Sequence, residues 1–216
     1  MGAGPRQVKT IRLAGLVLAG GRSRRFGSEK AVASLGGRPM LTWSLGALEG
    51  VCETVAVSAA ADSAAAAVAN SRGLPVLADD PAHSPGPLSG LAAGLPWATA
   101  LGFDALITLP CDTPLVGPVQ VETMIAALGD APAAYALCPE GPQALCAVWR
   151  TRLAGGLAAA LAGGEHPPVR DFLAAIGARP VAFVDARPFA NVNRPEALAR
   201  LAAAVARRSP NRLPRS

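Results

Sequence analysis

The sequence predicts an α/β fold with a mainly parallel β-sheet covered by helices on both faces. Two observations carry that prediction. Short apolar runs alternate with longer segments of helical periodicity along the chain, as strand and crossover helix do in a parallel sheet. Hydrophobic residues make up 51% of 216 residues, enough for the core of one medium domain.

The strand-like runs are Ile11–Leu18, Thr54–Ser58, Pro75–Ala78, Ala105–Leu109, Ala133–Leu137, Leu145–Trp149 and Val181–Val184. The first is apolar throughout, as a strand buried on both faces must be. It follows basic residues as a leader peptide would, yet it runs straight into Arg22, Arg24 and Arg25 without a small-residue cleavage site. Among the helices, Pro39–Leu48 opens with Pro and places Leu41, Leu45 and Leu48 on one face. Asp62–Arg72 opens with a capping Asp and stops at Gly73. Leu88–Ala100, Pro118–Leu128, Arg152–Ala162, Arg170–Ile176 and Pro195–Ala206 complete the set. The pair 133–137 and 145–149, joined by a short Pro/Gly loop, reads as an antiparallel insertion. Trp43, Trp97 and Trp149 read as core, and His83 and His166 as surface residues. No run approaches the ~20 apolar residues of a membrane span.

Twenty basic residues against 15 acidic ones give a formal charge of +5. Seven of the basic residues lie at the ends: Arg6, Lys9 and Arg12, then Arg207, Arg208, Arg212 and Arg215. Without them the body carries 13 against 15. The charge therefore reads as solvated tails at 1–12 and 207–216 around a single domain at 13–206, with no nucleic-acid surface. Cys52, Cys111, Cys138 and Cys146 form no C-x-x-C pair. Reduced, mostly buried thiols in a cytoplasmic protein fit that spacing.

In a parallel sheet, ligands bind beyond the carboxyl ends of the strands, so the segments after each strand are the candidates. After the first strand comes Ala19-Gly20-Gly21-Arg22-Ser23-Arg24-Arg25-Phe26-Gly27-Ser28-Glu29-Lys30. Glycines let backbone N–H groups converge on an anion, and the arginines and Lys30 supply charge suited to a polyphosphate. The chain has 18 arginines and only two lysines, and one of the lysines stands here; a compact ammonium is a different tool from a guanidinium. The spacing is neither a Walker A loop nor G-x-G-x-x-G. After the third strand, Asp79-Asp80-Pro81 leads to Gly86-Pro87-Leu88-Ser89-Gly90, a stiff loop whose glycines would let a bound group approach a helix start. After Ala105–Leu109, Cys111-Asp112-Thr113-Pro114 presents a lone carboxylate where a hard cation could meet it. Asn191-Val192-Asn193-Arg194-Pro195-Glu196 has the form of a capping box, with Asn193 as cap and Glu196 three residues on. That leaves Asn191 without a task.

The run Leu18-Ala-Gly-Gly-x-Ser-x-Arg25-Phe-Gly-x-Glu-Lys30 resembles the LAGG-x-S-x-R-M-G-x-D-K motif of nucleotidyltransferases with a Rossmann-like fold. Within them it is most similar to the molybdenum cofactor guanylyltransferases, the molybdopterin-guanine dinucleotide biosynthesis protein A family. The likeness runs from about Leu13 to Ala202, with Phe26 for Met and Glu29 for Asp as conservative departures. It implies a three-layer fold and transfer of GMP from GTP to the phosphate of the molybdenum cofactor. It assigns catalysis to Lys30, Arg25 and Asp112, with Asp112 holding Mg²⁺. It assigns nucleotide binding to Leu18, Ala19, Gly20, Gly21, Ser23, Arg25, Lys30, Asp79 (Asp80 as the alternate), Gly86, Pro87, Leu88, Gly90 and Asp112. Ser58 takes the place of a family Asn in that pocket. Gln143, before a strand, and Asn191 and Asn193 fall on the acceptor side. Cys111, beside the metal residue, reads as packing, because no base stands by to make it a nucleophile. The partners implied are GTP, the molybdenum cofactor, cofactor-biosynthesis proteins and molybdoenzyme chaperones, for a monomer or weak oligomer. The alternatives are a cytidylyltransferase, another small nucleotidyltransferase, and a non-catalytic module that carries nucleotide or cofactor.

Overall fold

The computed structural model describes residues 11–20, 29–78, 86–164 and 166–208, with side chains through 203. Strand β1 (Leu13–Leu18) leads to a tight hairpin, β2 (Ser34–Leu35) and β3 (Arg38–Pro39), and then helix α1 (Leu41–Leu48). There follow β4 (Thr54–Ser58), α2 (Ala64–Ser71), β5 (Val76–Leu77), α3 (Ser89–Ala100), β6 (Ala105–Pro110) and α4 (Pro118–Leu128). The chain ends with β7 (Ala133–Cys138), β8 (Gly141–Arg150), α5 (Ala154–Leu161), α6 (Val169–Ala175), β9 (Arg179–Ala182) and α7 (Pro195–Arg208). Among the described residues, no helix is long and apolar enough to cross a membrane.

One seven-stranded sheet has the order β5-β4-β1-β6-β8-β7-β9. Strands β5, β4, β1 and β6 run parallel, β8 runs antiparallel to both β6 and β7, and β9 is parallel to β7. The expected antiparallel insertion is therefore the β7–β8 pair, with a register shift between Tyr135 and Ala136. Side chains alternate across β1: Leu13 and Val17 join one core, Ala14 and Leu16 the other. Helices α1, α2 and α4 cover the first face, and α3, α5 and α6 the second. This is the expected three-layer α/β architecture.

Several boundaries differ from the periodicity, each for a local reason. Pro39 does not open α1. It pairs with Ser34 in the hairpin, which turns on Gly36 and Gly37 at φ 59° and 79°, values that suit glycine in a two-residue loop. The cap of α2 is Ser63, whose Oγ accepts from Ala66 N at 3.1 Å, rather than Asp62. Strand β8 begins at Gly141, so Gln143 lies within a strand, paired with Ala136, and not before one. Strand β9 ends at Ala182, two residues short of the expected end. Trp149 is fully buried and donates from Nε1 to Thr108 Oγ1 at 2.9 Å. Trp43 and Trp97 are half-buried, and Trp43 carries the Arg38 guanidinium 4.3 Å above its ring.

Candidate active site

The sheet register brings the candidate segments together. Leu18, the last residue of β1, pairs with Ser58 at the end of β4 and with Pro110 at the end of β6. Ala19 N then donates to Ser58 O at 2.9 Å, and Cys111 N to Leu18 O at 3.0 Å. The three loops thus leave the sheet from one row. The chain passes from β1 to β4 on one side of β1 and returns to β6 on the other, so the crevice between the ends of β1 and β6 is the topological switch point.

Lys30 and Asp112 stand on the two sides of that crevice. Lys30 opens a short 3₁₀ turn (Lys30–Val32), and its Nζ donates to Asp112 Oδ2 at 2.7 Å. Both side chains are largely shielded, at 15% and 20% exposure, so removing either partner would leave the other's charge uncompensated in a shielded place. Lys30 Nζ also donates to Asn193 Oδ1 at 2.9 Å. Residues 82 and 163 positions away in sequence thus meet one ammonium. Asn193 was expected to cap α7; its carboxamide oxygen instead faces Lys30. Its segment is tied down beside it, because Val192 is buried and its N–H donates to Asp112 O at 2.8 Å. Phe189, buried against Phe183 with ring centroids 4.8 Å apart, turns the chain back from β9 toward this point.

Asp112 is not the cap of α4. That position belongs to Gly117, whose N–H donates to Gln120 Oε1 at 3.0 Å. Thr113 holds the turn from both its groups: its N–H and Oγ1 donate to Pro110 O. Cys111 is buried in the core, and burial pushes its thiol up to about 12, with the Asp112 charge adding to the effect. It therefore packs as a neutral thiol, as the sequence suggested.

Glu29, to which the motif assigned no role, directly precedes Lys30. The Glu29 carboxylate accepts from Ala64 N and from Ala65 N, each at 2.7 Å, at the start of α2. Helix α2 has no acidic residue in its own first turn. One capping side chain cannot serve all the first N–H groups of a helix, and their need for acceptors from elsewhere was the available signal.

The Gly86–Gly90 segment departs from the expected reason for its glycines. A Cβ on Gly90 would sit 2.6 Å from Leu18 Cδ2 and from Ser58 Oγ. The space at Gly90 is thus filled by the sheet rather than by a ligand, and the Leu18 side chain faces α3. Ser58 is buried at that contact; Leu88 is buried in the core on the α3 face, and Pro87 is exposed. The place a Cβ on Gly86 would take is occupied by the ring of His166. His166 is half-buried rather than on the surface, and both its ring nitrogens are buried without a partner among the described residues. Ala19 is buried and Gly20 exposed at the end of β1. Asn191 is exposed two residues before Asn193. Gln143 makes no hydrogen bond to Lys30, Asp112 or Asn193 among the described residues. Gly21, Ser23, Arg25, Asp79 and Asp80 lie outside the described residues.

Among the described residues no group of three or more His, Cys, Asp or Glu side chains could by itself hold a metal. A single carboxylate such as Asp112, past the end of β6, is the kind of donor that Mg²⁺ shares with phosphate oxygens and water.

A family model described as the MobA-like NTP transferase domain matches residues 15–180. The chain is 44% identical over 191 residues to a molybdenum cofactor guanylyltransferase from Cereibacter sphaeroides, covering 88% of this chain and 95% of the relative. It is 40% identical over 183 residues to one from Acidiphilium cryptum, covering 84% and 89%. Its fold is similar to that of molybdopterin-guanine dinucleotide biosynthesis protein A from Archaeoglobus fulgidus, with TM-score 0.72, 21% identity, and coverage of 90% and 99%. It is also similar to CMP:2-keto-3-deoxy-manno-octonic acid synthetase complexed with CTP, with TM-score 0.69, 15% identity, and coverage of 92% and 100%.

Proposed function

We infer the reaction from the family, because this chain belongs to the MobA-like NTP transferase domain family. It transfers GMP from GTP to the phosphate of the molybdenum cofactor. A phosphate oxygen of the cofactor bonds to the α-phosphorus of GTP, the bond from that phosphorus to the β-phosphate bridge breaks, and pyrophosphate leaves. The relatives that support this reading are molybdenum cofactor guanylyltransferases at 40–44% identity over most of the chain. The observation that carries it is the meeting of Lys30, Asp112 and Asn193 at the switch point.

The acceptor phosphate is already anionic, so the chain needs no general base. Its task is positioning and neutralisation of charge. An ammonium has three donors and no acceptor. Lys30 gives two of them to Asp112 and Asn193, which leaves one for a phosphate oxygen. Asp112 would hold Mg²⁺, which neutralises phosphate charge when bound. Gly20, Gly21, Ser23 and Arg25 would cradle the phosphates. Leu18, Ala19, Ser58 and the Gly86-Pro87-Leu88 and Gly90 segment would shape the nucleotide pocket. For Leu18, Ser58 and Gly90 that role is indirect, through the packing of α3 on the sheet. Asp79 or Asp80 would accept from the guanine edge, and Asn191 and Gln143 would meet the acceptor.

The test is pyrophosphate release with Mg²⁺ and the molybdenum cofactor, run with GTP, CTP and ATP. GTP should be preferred by at least ~10²-fold in kcat/KM, the scale of one or two lost buried hydrogen bonds. Asp79→Ala should erode that preference more than it slows GTP turnover. Equal turnover of CTP would give the reaction to cytidylyl transfer. No pyrophosphate with any nucleotide would leave a carrier module.

A further inference from the structure

The Glu29 carboxylate spans from the residue before Lys30 to the start of a helix 35 and 36 positions away. We propose that Glu29 is a positioning residue that holds Lys30 against Asp112 and Asn193 by tethering it to the first turn of α2. The chemistry of this proposal rests on the nucleotidyl-transfer reading; the tether rests on geometry alone.

Three acceptors divide the start of α2 among them. Glu29 takes Ala64 N and Ala65 N through its two oxygens, and Ser63 Oγ takes Ala66 N. Ala67 N then begins the helix's own ladder on Ser63 O at 3.1 Å. The helix end is thereby satisfied, but its two sets of bonds do different work. Ser63 bonds within its own turn. Glu29 bonds across the fold, and α2 itself is fixed because Ala65, Ala66 and Ala69 are fully buried against the sheet.

Two hydrogen bonds to consecutive backbone groups fix a carboxylate in both place and orientation. Glu29 has extended backbone, and the next residue starts the 3₁₀ turn, where Val32 N donates to Glu29 O at 3.2 Å and Ala33 N to Lys30 O at 3.1 Å. A fixed Glu29 therefore fixes where the Lys30 stem leaves the backbone. The ammonium must then reach two acceptors on two other segments at once. A shift of the stem by about 1 Å would lose one of them, and misplacement on that scale is costly to a group acting on transition-state charge. Glu29 touches no reacting atom in this scheme and acts only through Lys30.

Lysine chemistry reads the tether directly, because the chain has only Lys9 and Lys30. An amine-acylating reagent followed by mass spectrometry gives a rate for each, with Lys9 as internal reference. Glu29→Ala should raise the Lys30 rate at least about fivefold by releasing a held side chain. Ser63→Ala should leave it within about twofold while lowering the melting temperature, since it removes a cap and not the tether. In the pyrophosphate assay, Glu29→Ala should lower kcat about tenfold with KM for GTP within about twofold. In a Lys30→Ala background the same change should have little further effect on kcat, because the residue it acts through is gone.

An unchanged Lys30 rate in Glu29→Ala overturns the proposal; if that variant does not fold, an unchanged rate in Glu29→Gln does so. Equal losses of kcat in the wild-type and Lys30→Ala backgrounds overturn it as well. If the wild-type protein shows no GTP turnover while Lys30 acylates faster in Glu29→Ala, the functional reading fails and the tether stands.

Discussion

Lys30 and Asp112 form a pair in which each partner compensates a largely shielded charge of the other, and the two should fail differently when removed. Lys30→Ala should lower kcat by about 10²-fold with a smaller change in KM for GTP, because a point charge on developing phosphate charge acts mainly in the transition state. Lys30→Arg should not restore it, since a planar fork cannot place one compact charge between the same acceptors. Asp112→Ala should abolish turnover that depends on a divalent cation while the far-ultraviolet circular dichroism stays native. Steady-state kinetics with GTP checks all three, and wild-type-like turnover in either alanine variant removes that residue from the mechanism. These two residues were legible in the sequence because their types are scarce where they stand: one of two lysines after a glycine run, and a lone Asp past a buried strand. Asn193 was harder to read. An Asn three residues before Glu matches a cap so well that its real partner, 163 positions away, leaves no local trace. His166 was misread for the opposite reason, since a polar residue between Glu and Pro has the look of a surface loop. Only the tertiary fold brings its ring onto Gly86.

Helix α3 shows how an element sets the site without contributing chemistry. Gly90 and Gly94 lie four residues apart and therefore on one face. A Cβ on Gly94 would lie 2.5 Å from Leu16 Cδ2 and 2.9 Å from Leu106 Cδ2, beside the Leu18 and Ser58 contact at Gly90. The helix is thus seated directly on β1, β4 and β6, and its N-terminal end stands over the row from which the three loops leave. Gly94→Ala and Gly90→Ala should each cost about 1–3 kcal/mol, the usual scale of overpacking. The exposed Gly46 in α1 has nothing within 4 Å of its Cβ position. Gly46→Ala should therefore stabilise by about 0.5–1 kcal/mol through the unfolded chain. Urea denaturation of the three variants checks the contrast, and equal effects at Gly46 and Gly94 would refute this seating. Element types followed from the periodicity almost throughout. Their ends did not, because ends are decided by partners. The β2–β3 hairpin needs two left-handed glycines, and the start of α2 is completed by Glu29 from another part of the chain.

Strand alternation foretold a covered parallel sheet, but not its order, because which strands become neighbours depends on contacts distant in sequence. The order matters for the whole molecule: it divides the core into two faces and leaves the thiols inside or at its margin. Cys111, Cys138 and Cys146 are buried and Cys52 is half-buried, and all four are free. Burial pushes the thiols of Cys52, Cys111 and Cys146 from 9.0 up to about 12. Folding therefore favours their neutral form. The stability this represents is fully present below the unfolded pKa near 9.0, and it is lost as pH climbs from there toward about 12. The slope is at most about 1.4 kcal/mol per pH unit for each thiol fully engaged. Few other groups could mask it, since the chain has one tyrosine and two lysines, and its arginines do not titrate in that range. The urea midpoint, measured under reducing conditions, should hold steady from pH 7 to about pH 8.5 and then fall steeply above about pH 9. Cys146→Ala should lower the midpoint at neutral pH by opening a small cavity, yet make the alkaline fall shallower, because one thiol no longer ionises on unfolding. A midpoint that stays flat through pH 10, or a Cys146→Ala profile parallel to wild type, would mean that these thiols ionise in the folded protein as readily as in the unfolded chain.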